Sequence, residues 1–103
     1  MFTNNKLRKL ALTMEDDLDN INKKIKHYID KYDYSSLLDD TKEAIRINTK
    51  LEVLDKCINN DEKYNDIQKR LCYLMDTLSD SNHDENTIIK TKAEITILRV
   101  ISA

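Results

Sequence analysis

The chain has 103 residues with a formal net charge of −2, 40% hydrophobic and 35% charged side chains, and neither glycine nor proline. Its length predicts a single domain over residues 1–103, and its mixture of apolar and charged residues is typical of folded amphipathic helices. The absence of glycine excludes Gly-rich phosphate-binding loops, and the slight negative charge argues against nucleic acid as a partner.

The first predicted element is a long helix with a heptad stripe of apolar side chains, which we call the seam. Its residues recur at alternating spacings of four and three, the pattern of a coiled coil. The seam consists of Leu7, Ala11, Met14, Leu18, Ile21, Ile25, Tyr28 and Tyr32. Thr3 precedes it and is predicted to be the N-cap, with Phe2 and Leu7 forming a hydrophobic staple around it.

A turn is predicted at residues 33–36, because Asp33, Ser35 and Ser36 are good N-caps. The second helix then carries a wide apolar stripe, as expected for a helix that contacts more than one neighbour. This stripe comprises Leu37, Ala44, Ile47, Leu51, Leu54 and Ile58. The apolar register slips by one residue at Asn59-Asn60-Asp61, which indicates a tight connection between antiparallel helices, or alternatively a kink in one continuous helix.

The third helix is predicted from the spacing of Tyr64, Ile67, Leu71, Leu74 and Leu78. A polar loop over residues 79–86 follows, in which Asn82 and Glu85 resemble a capping box. The last element, residues 88–101, is rich in β-branched side chains that favour a strand. Helix is the favoured interpretation, because a lone strand would have no partner.

The fold expected from these elements is an all-α antiparallel helical bundle of three to four helices with coiled-coil-like heptad packing and a long first helix. Predicted helix lengths of about 29, 23, 19 and 18 residues make the first helix overhang the others. An apolar seam that extends beyond its internal partners leaves surface to bury against another chain.

Residues that could perform chemistry are few and scattered. His27 and His83 lack companions at metal-ligand spacing, so no metal site is expected. Cys57 and Cys72 flank apolar stripes, which predicts packed, unreactive thiols that are too far apart for a disulfide. With no catalytic constellation and no cofactor motif, we expect a protein that is not an enzyme. No apolar run is long enough to span a membrane, so a cytoplasmic location is predicted.

Tyr28, Tyr32 and Tyr64 stand at seam positions, which predicts that they pack in the core with their hydroxyls in water. The alternative is a recognition patch of Tyr32, Tyr34 and Tyr73, because aromatic residues are favoured at binding hot spots. Together with the seam they define the candidate interaction residues. These are Leu7, Met14, Leu18, Ile21, Ile25, Tyr28, Tyr32, Tyr34 and Tyr73. On the same helix, Asp19 and Lys23 are expected to form a stabilising i,i+4 ion pair.

The leading functional hypothesis is a protein-protein interaction module, an assembly subunit or adaptor that acts through its long first helix. Its partner would be a protein, with a second copy of the chain in a homodimer as one option. The first alternative is a small viral, phage or bacterial inhibitor or immunity-type factor that binds and blocks one macromolecule. The second alternative is a small nucleic-acid-binding bundle that uses Lys6, Arg8, Lys9 and the lysines of segment 23–26.

Overall fold

The computed structural model describes residues 2–80 and 82–103. This part of the chain contains four α-helices, one short 3-10 helix and no strand, so the all-α prediction is confirmed. The helices are α1 (Asn4–Asp30), α2 (Tyr34–Ile58), α3 (Ile67–Ser79) and α4 (Glu85–Ser102), with the 3-10 helix at Glu62–Tyr64. The final element is a helix, as favoured from its sequence.

Each α-helix begins at a side chain that accepts a hydrogen bond from the helix backbone. Thr3 is the cap of α1 as predicted, with its Oγ1 atom 3.3 Å from the Lys6 nitrogen. Asp33, Asp66 and Asp84 accept from the backbone N–H three residues later at 3.2, 3.1 and 2.8 Å. These caps satisfy N–H groups that have no partner within the helix, and they place the four helix starts.

The start of α4 differs from the capping box predicted between Asn82 and Glu85. Asp84 is the cap instead, and its carboxylate accepts from the Thr87 N–H at 2.8 Å. The Asp84 carboxylate is a charged acceptor at the positive end of the helix dipole, and it leaves Glu85 inside the favourable first turn. The predicted loop is therefore shorter, because α4 begins at Glu85.

The ends of α1 and α2 use left-handed residues although the chain has no glycine. Tyr32 has a φ of 57° and Asn60 a φ of 58°. After α1, the Asp33 N–H donates to the Tyr28 carbonyl at 3.0 Å and the Tyr32 N–H to the Ile29 carbonyl at 3.2 Å, which is a Schellman motif. The same pattern closes α2 at Asn60. The register slip is thus a break between two helices and not a kinked helix, and the connection continues through the 3-10 helix to the start of α3 at Ile67.

The helices pack in the order α1, α2, α4, α3, and the main contacts of α1 are with α2. The Tyr32 turn makes α1 and α2 an antiparallel hairpin. At one end of α4, Glu85 pairs with Lys42 of α2 at 2.7 Å; at the other, the Ile101 carbonyl accepts from the Phe2 N–H at 2.9 Å, beside the start of α1. Helices α2 and α4 therefore run in the same direction, so the bundle is not antiparallel throughout.

The core lies between the C-terminal halves of α2 and α4 and the inner side of α3. Leu54, Ile97, Leu98 and Ile101 are its most completely buried large side chains. The β-branched residues of α4 fill this core, so tertiary packing offsets their lower helix propensity. The first helix contributes its fully buried residues only near its own start.

The far half of the α1–α2 hairpin projects beyond the rest of the molecule. Helix α4 begins opposite Lys42, so residues 34–41 of α2 extend by roughly 12 Å at 1.5 Å per residue. We call this projection, residues 21–41, the arm. The predicted overhang of α1 alone was wrong, because α1 has 27 residues and α2 has 25. The overhang is formed by both helices of the hairpin.

Candidate protein-interaction site

Burial falls steadily along the seam from the start of α1 to its end. Leu7 is only 2% exposed, and Ala11 is also buried in the core. The next seam residues are partly buried against that core: Met14, Leu18 and Ile21. Ile25 and Tyr28 are half-buried, and Tyr32 is 76% exposed. The protein's own core therefore covers the first half of the seam. The half of the seam that lies in the arm is less covered.

Large apolar side chains surround the turn between α1 and α2. Ile29, Tyr32, Tyr34 and Leu38 are all exposed, and we call this group the tip patch. Beside it, the rings of His27 and Tyr28 meet edge to face with centroids 6.1 Å apart. Exposed apolar residues that cluster at one place make the tip patch the candidate for an interaction surface.

Tyr32 is held in a backbone conformation that disfavours it. A left-handed residue with a side chain costs about 1–2 kcal/mol, which is why glycine is usual at this position after a helix. The Tyr32 side chain recovers little of this cost by packing, because 76% of it is exposed. Strain that no internal contact explains is characteristic of functional positions.

Two of the predicted interaction residues lie elsewhere. Leu7 packs inside the core, so its assignment to an interaction surface was wrong. Tyr73 is 60% exposed but belongs to α3, which packs on α4 and not on the arm. The predicted patch of Tyr32, Tyr34 and Tyr73 is therefore not one surface.

Sequence reasoning missed Ile29 and Leu38, because both residues stand outside the heptad pattern. The signal that could have identified them is their position. Large apolar side chains that flank a turn, outside the seam, have no core position available in a helical hairpin.

The most elaborate polar cluster joins the 3-10 helix, α3 and α4. Arg70 Nε donates to Glu94 Oε2 at 2.7 Å, and the Tyr64 hydroxyl donates to the same oxygen at 2.9 Å. The guanidinium lies over the rings of Tyr64 and Tyr73, 5.8 and 5.1 Å from their centroids. Burial and the nearby Glu94 charge raise the pKa of Tyr64, and the hydrogen bond to Glu94 raises the pKa of Arg70. The polar groups of Tyr64, Arg70 and Glu94 are hydrogen-bonded to one another, so the cluster joins the 3-10 helix and α3 to α4. We call these three residues the clamp.

The two cysteines differ in environment. Cys57 is partly buried, and burial with the nearby Glu94 charge raises the pKa of its thiol to about 11. Cys72 is exposed, so the prediction that both thiols are packed was wrong for this residue. Within residues 2–80 and 82–103, no group of three or more His, Cys, Asp or Glu side chains is placed to hold a metal ion.

The charges of α1 make no ion pair within 4 Å among the residues that the structure describes. The predicted pair of Asp19 and Lys23 is therefore not formed. The acidic residues Glu15, Asp16, Asp17 and Asp19 lie exposed on the middle of the helix, between the basic residues near its start and its end.

Comparison with protein-family models, curated proteins and solved structures gives no match to this chain. Among the helices of the described ranges, none combines the length and apolar character needed to cross a bilayer. The arm, with its open seam and tip patch, is thus the feature from which a function is inferred.

Proposed function

We propose that this chain is a non-enzymatic protein-protein interaction module, an assembly subunit whose arm pairs with the arm of a second copy. The single observation that supports this most is Tyr32, a strained and exposed aromatic side chain at the end of a seam that loses its internal cover. Binding would bury the Tyr32 ring and so repay the backbone cost.

A second copy of the chain is a suitable partner for the arm because the charges of two arms complement each other. The end of α1 is basic, and the start of α2 is acidic. The residues concerned are Lys23, Lys24, Lys26 and Lys31 on the basic side and Asp33 and Asp39 on the acidic side. A twofold axis between two arms would set α1 of one copy against α2 of the other, which pairs these opposite charges.

Heptad packing is part of this proposal. Ile21, Ile25 and Tyr28 continue the seam into the arm, where α2 is the neighbour of α1. Two arms side by side would place four helices around these residues and bury them as coiled-coil knobs.

The test is size-exclusion chromatography with light scattering at about 500 mM salt, which screens charge contacts but not apolar ones. The wild type is expected to be a dimer. Ile25→Asp should raise the dissociation constant at least about 100-fold, because the interface would bury an unpaired carboxylate. Met75→Asp is the control, since Met75 is an exposed apolar residue that lies on α3, away from the arm.

A strictly monomeric wild type would overturn the proposal, as would equal effects of the two substitutions. Circular dichroism verifies that both variants are folded.

A second candidate is an adaptor or inhibitor whose arm enters a cleft of a foreign macromolecule. The observation in its favour is the shape of the tip, which presents Tyr32 and Tyr34 at the end of a two-helix projection. Capture from the native host with the wild type and with Tyr32→Gly as paired baits tests it. One stoichiometric foreign partner, lost with Tyr32→Gly, would favour this candidate over self-assembly.

A further inference from the structure

A groove of about 320 Å³ lies between α2 and α4, outside the arm tip. Three cations line it: Arg46 and Lys50 from α2 and Lys92 from α4. Ile89 and Ala93 of α4 also line it, and both are buried, so they form an apolar floor between the helices. The groove thus combines positive walls with an apolar base.

The groove carries positive charge that is not neutralised by ion pairs. Glu85 lies at its edge but is already paired with Lys42 at 2.7 Å, and Arg46 is paired with a glutamate one turn earlier in α2 at 3.0 Å. Neither Lys50 nor Lys92 has an ion-pair partner within the described ranges. This local excess is opposite in sign to the net charge of −2 of the whole chain.

The complement of this groove is present on α1 of the same chain. Leu12, Glu15, Asp16 and Asp19 follow at helical spacing and share one face, which we call the acidic stripe. Leu12 is 62% exposed, and the three carboxylates are exposed as well. The stripe borders α2 near its C-terminal end, and it shares no lining residue with the groove.

We propose that the groove binds the acidic stripe of a second copy of this chain. Leu12 would lie on the apolar floor, and the carboxylates of Glu15 and Asp19 would pair with Lys50 and Lys92. A nucleic-acid backbone would meet the same cations but would make no use of the apolar floor, and the negative net charge would repel it. Of these two ligands, only the acidic stripe matches both the positive walls and the apolar floor of the groove.

This contact joins two different surfaces, so it is heterologous. Each added copy leaves one groove and one stripe free, and the chains extend head to tail into a ring or a filament. The contact goes beyond the arm pairing and does not depend on it. Combined with twofold arm pairing, it would connect dimers into a larger assembly.

A charge-swap experiment in the Ile25→Asp background tests the groove alone, because the arm contact is disabled there. One variant carries Lys50→Glu and Lys92→Glu, and the other carries Glu15→Lys and Asp19→Lys. Sedimentation velocity at about 50 mM salt is the measurement, since charge pairs are weakly screened under that condition.

The parent chain, which carries Ile25→Asp alone, should form oligomers that grow with protein concentration and dissociate at about 500 mM salt. Each charge-swapped variant alone should associate at least about tenfold more weakly, because its groove and stripe then carry the same sign. An equimolar mixture should recover the assembly, since each groove again meets a stripe of opposite charge.

A parent that stays monomeric at every concentration would overturn the inference, and so would variants that behave like the parent or a mixture that does not recover. Retention of a monomeric parent on a DNA oligonucleotide, lost in the lysine variant, would assign the groove to polyanions instead. Failure of the arm pairing would appear only in chains with the natural Ile25, so the two proposals fail separately. Circular dichroism confirms that all variants fold.

Discussion

At the scale of single residues, the two left-handed positions show how a chain without glycine ends its helices. Asn60 adopts this conformation readily, because its short amide tolerates positive φ. Tyr32 adopts it at a cost and leaves its ring mostly in solvent. Both positions terminate a helix in the same way, so the fold alone does not explain the tyrosine at position 32.

Tyr32→Gly is expected to stabilise the monomer and weaken association. Glycine removes the left-handed strain from the folded chain, but it also makes the unfolded chain more flexible, which favours unfolding. The free energy of unfolding should therefore rise by a net amount of about 1 kcal/mol. Urea unfolding in the Ile25→Asp background measures this gain without a contribution from arm pairing. Asn60→Gly is the matched control, with a smaller gain and no effect on association. A loss of stability in Tyr32→Gly would show that the ring packs within its own chain.

The cysteines should differ in reactivity towards an aromatic disulfide reagent at pH 8. Burial and the Glu94 charge raise the pKa of Cys57 from 9.0 to about 11, so its thiolate is about 100-fold scarcer at that pH. Cys72 is exposed and accessible to the reagent. Stopped-flow absorbance on Cys57→Ala and Cys72→Ala, which leave one thiol each, should show Cys72 reacting at least tenfold faster than Cys57. Equal rates would contradict the burial of Cys57.

At the scale of elements, the clamp of Tyr64, Arg70 and Glu94 holds α3 and the 3-10 helix against α4. The Arg70 and Glu94 side chains are 21% and 13% exposed, so their ion pair is partly removed from water. Removal of one partner from such a pair leaves a charge without compensation. The short helix α3 depends on this clamp and on Ile67, Leu71 and Leu74 for its position.

Glu94→Gln is expected to lower the free energy of unfolding by about 2–3 kcal/mol, since Arg70 and Tyr64 both lose a charged acceptor. Glu43→Gln provides the control, because the Arg46–Glu43 pair has 41% and 43% exposed side chains and should contribute less than about 0.5 kcal/mol. Guanidinium unfolding monitored by circular dichroism measures both. Similar losses in the two variants would contradict the role of the clamp.

The clamp also predicts a dependence of stability on alkaline pH. The pKa of Tyr64 is raised in the folded chain above its ordinary value of 10.0, first by burial and then by the Glu94 charge. A raised folded pKa means that the stabilisation is fully present below pH 10 and is lost as the pH rises towards the folded value. Cys57 acts in the same direction between pH 9.0 and about 11.

The free energy of unfolding should therefore fall as pH rises above about 9. Tyr64→Phe should be about 1 kcal/mol less stable at neutral pH, because the hydrogen bond to Glu94 is lost. Its stability should decline less steeply above pH 10. Urea titrations from pH 7 to 11 compare the two chains, and parallel declines would contradict the assignment to Tyr64.

The sequence predicted the elements better than their arrangement. The long first helix, the Thr3 cap and the break near Asn60 are predicted from local signals, and the structure confirms them. Periodicity shows which face of a helix is apolar but not which neighbour covers it. The parallel course of α2 and α4 depends on long-range contacts such as the Lys42–Glu85 pair, so it could not be read from spacing.

The candidate site was predicted in part. Heptad spacing predicts the seam up to Tyr32, and residue type adds Tyr34, but the burial of Leu7 separates it from these residues. Tyr73 was grouped with Tyr32 only by residue type, and the packing of α3 on α4 places it on another surface. The Tyr32 strain is a backbone property that no side-chain pattern reveals.

At the scale of the whole molecule, the most deeply buried core residues and the tip patch lie at opposite ends of the α1–α2 hairpin. The core around Leu54 and Leu98 anchors one end and the arm forms the other, and the whole molecule measures 45 × 36 × 19 Å. The seam residues that pack in or against the core all lie between Leu7 and Ile21. This arrangement leaves the tip patch exposed.

The most direct test of arm pairing is hydroxyl-radical footprinting of the tyrosines across a range of protein concentrations at about 500 mM salt. Tyr73 is an internal standard, because it is exposed like Tyr32 and Tyr34 but lies on α3. Oxidation of Tyr32 and Tyr34, read by mass spectrometry, should fall as the chain associates, while oxidation of Tyr73 stays constant. Oxidation of all three tyrosines that does not change with concentration would contradict the pairing of arms.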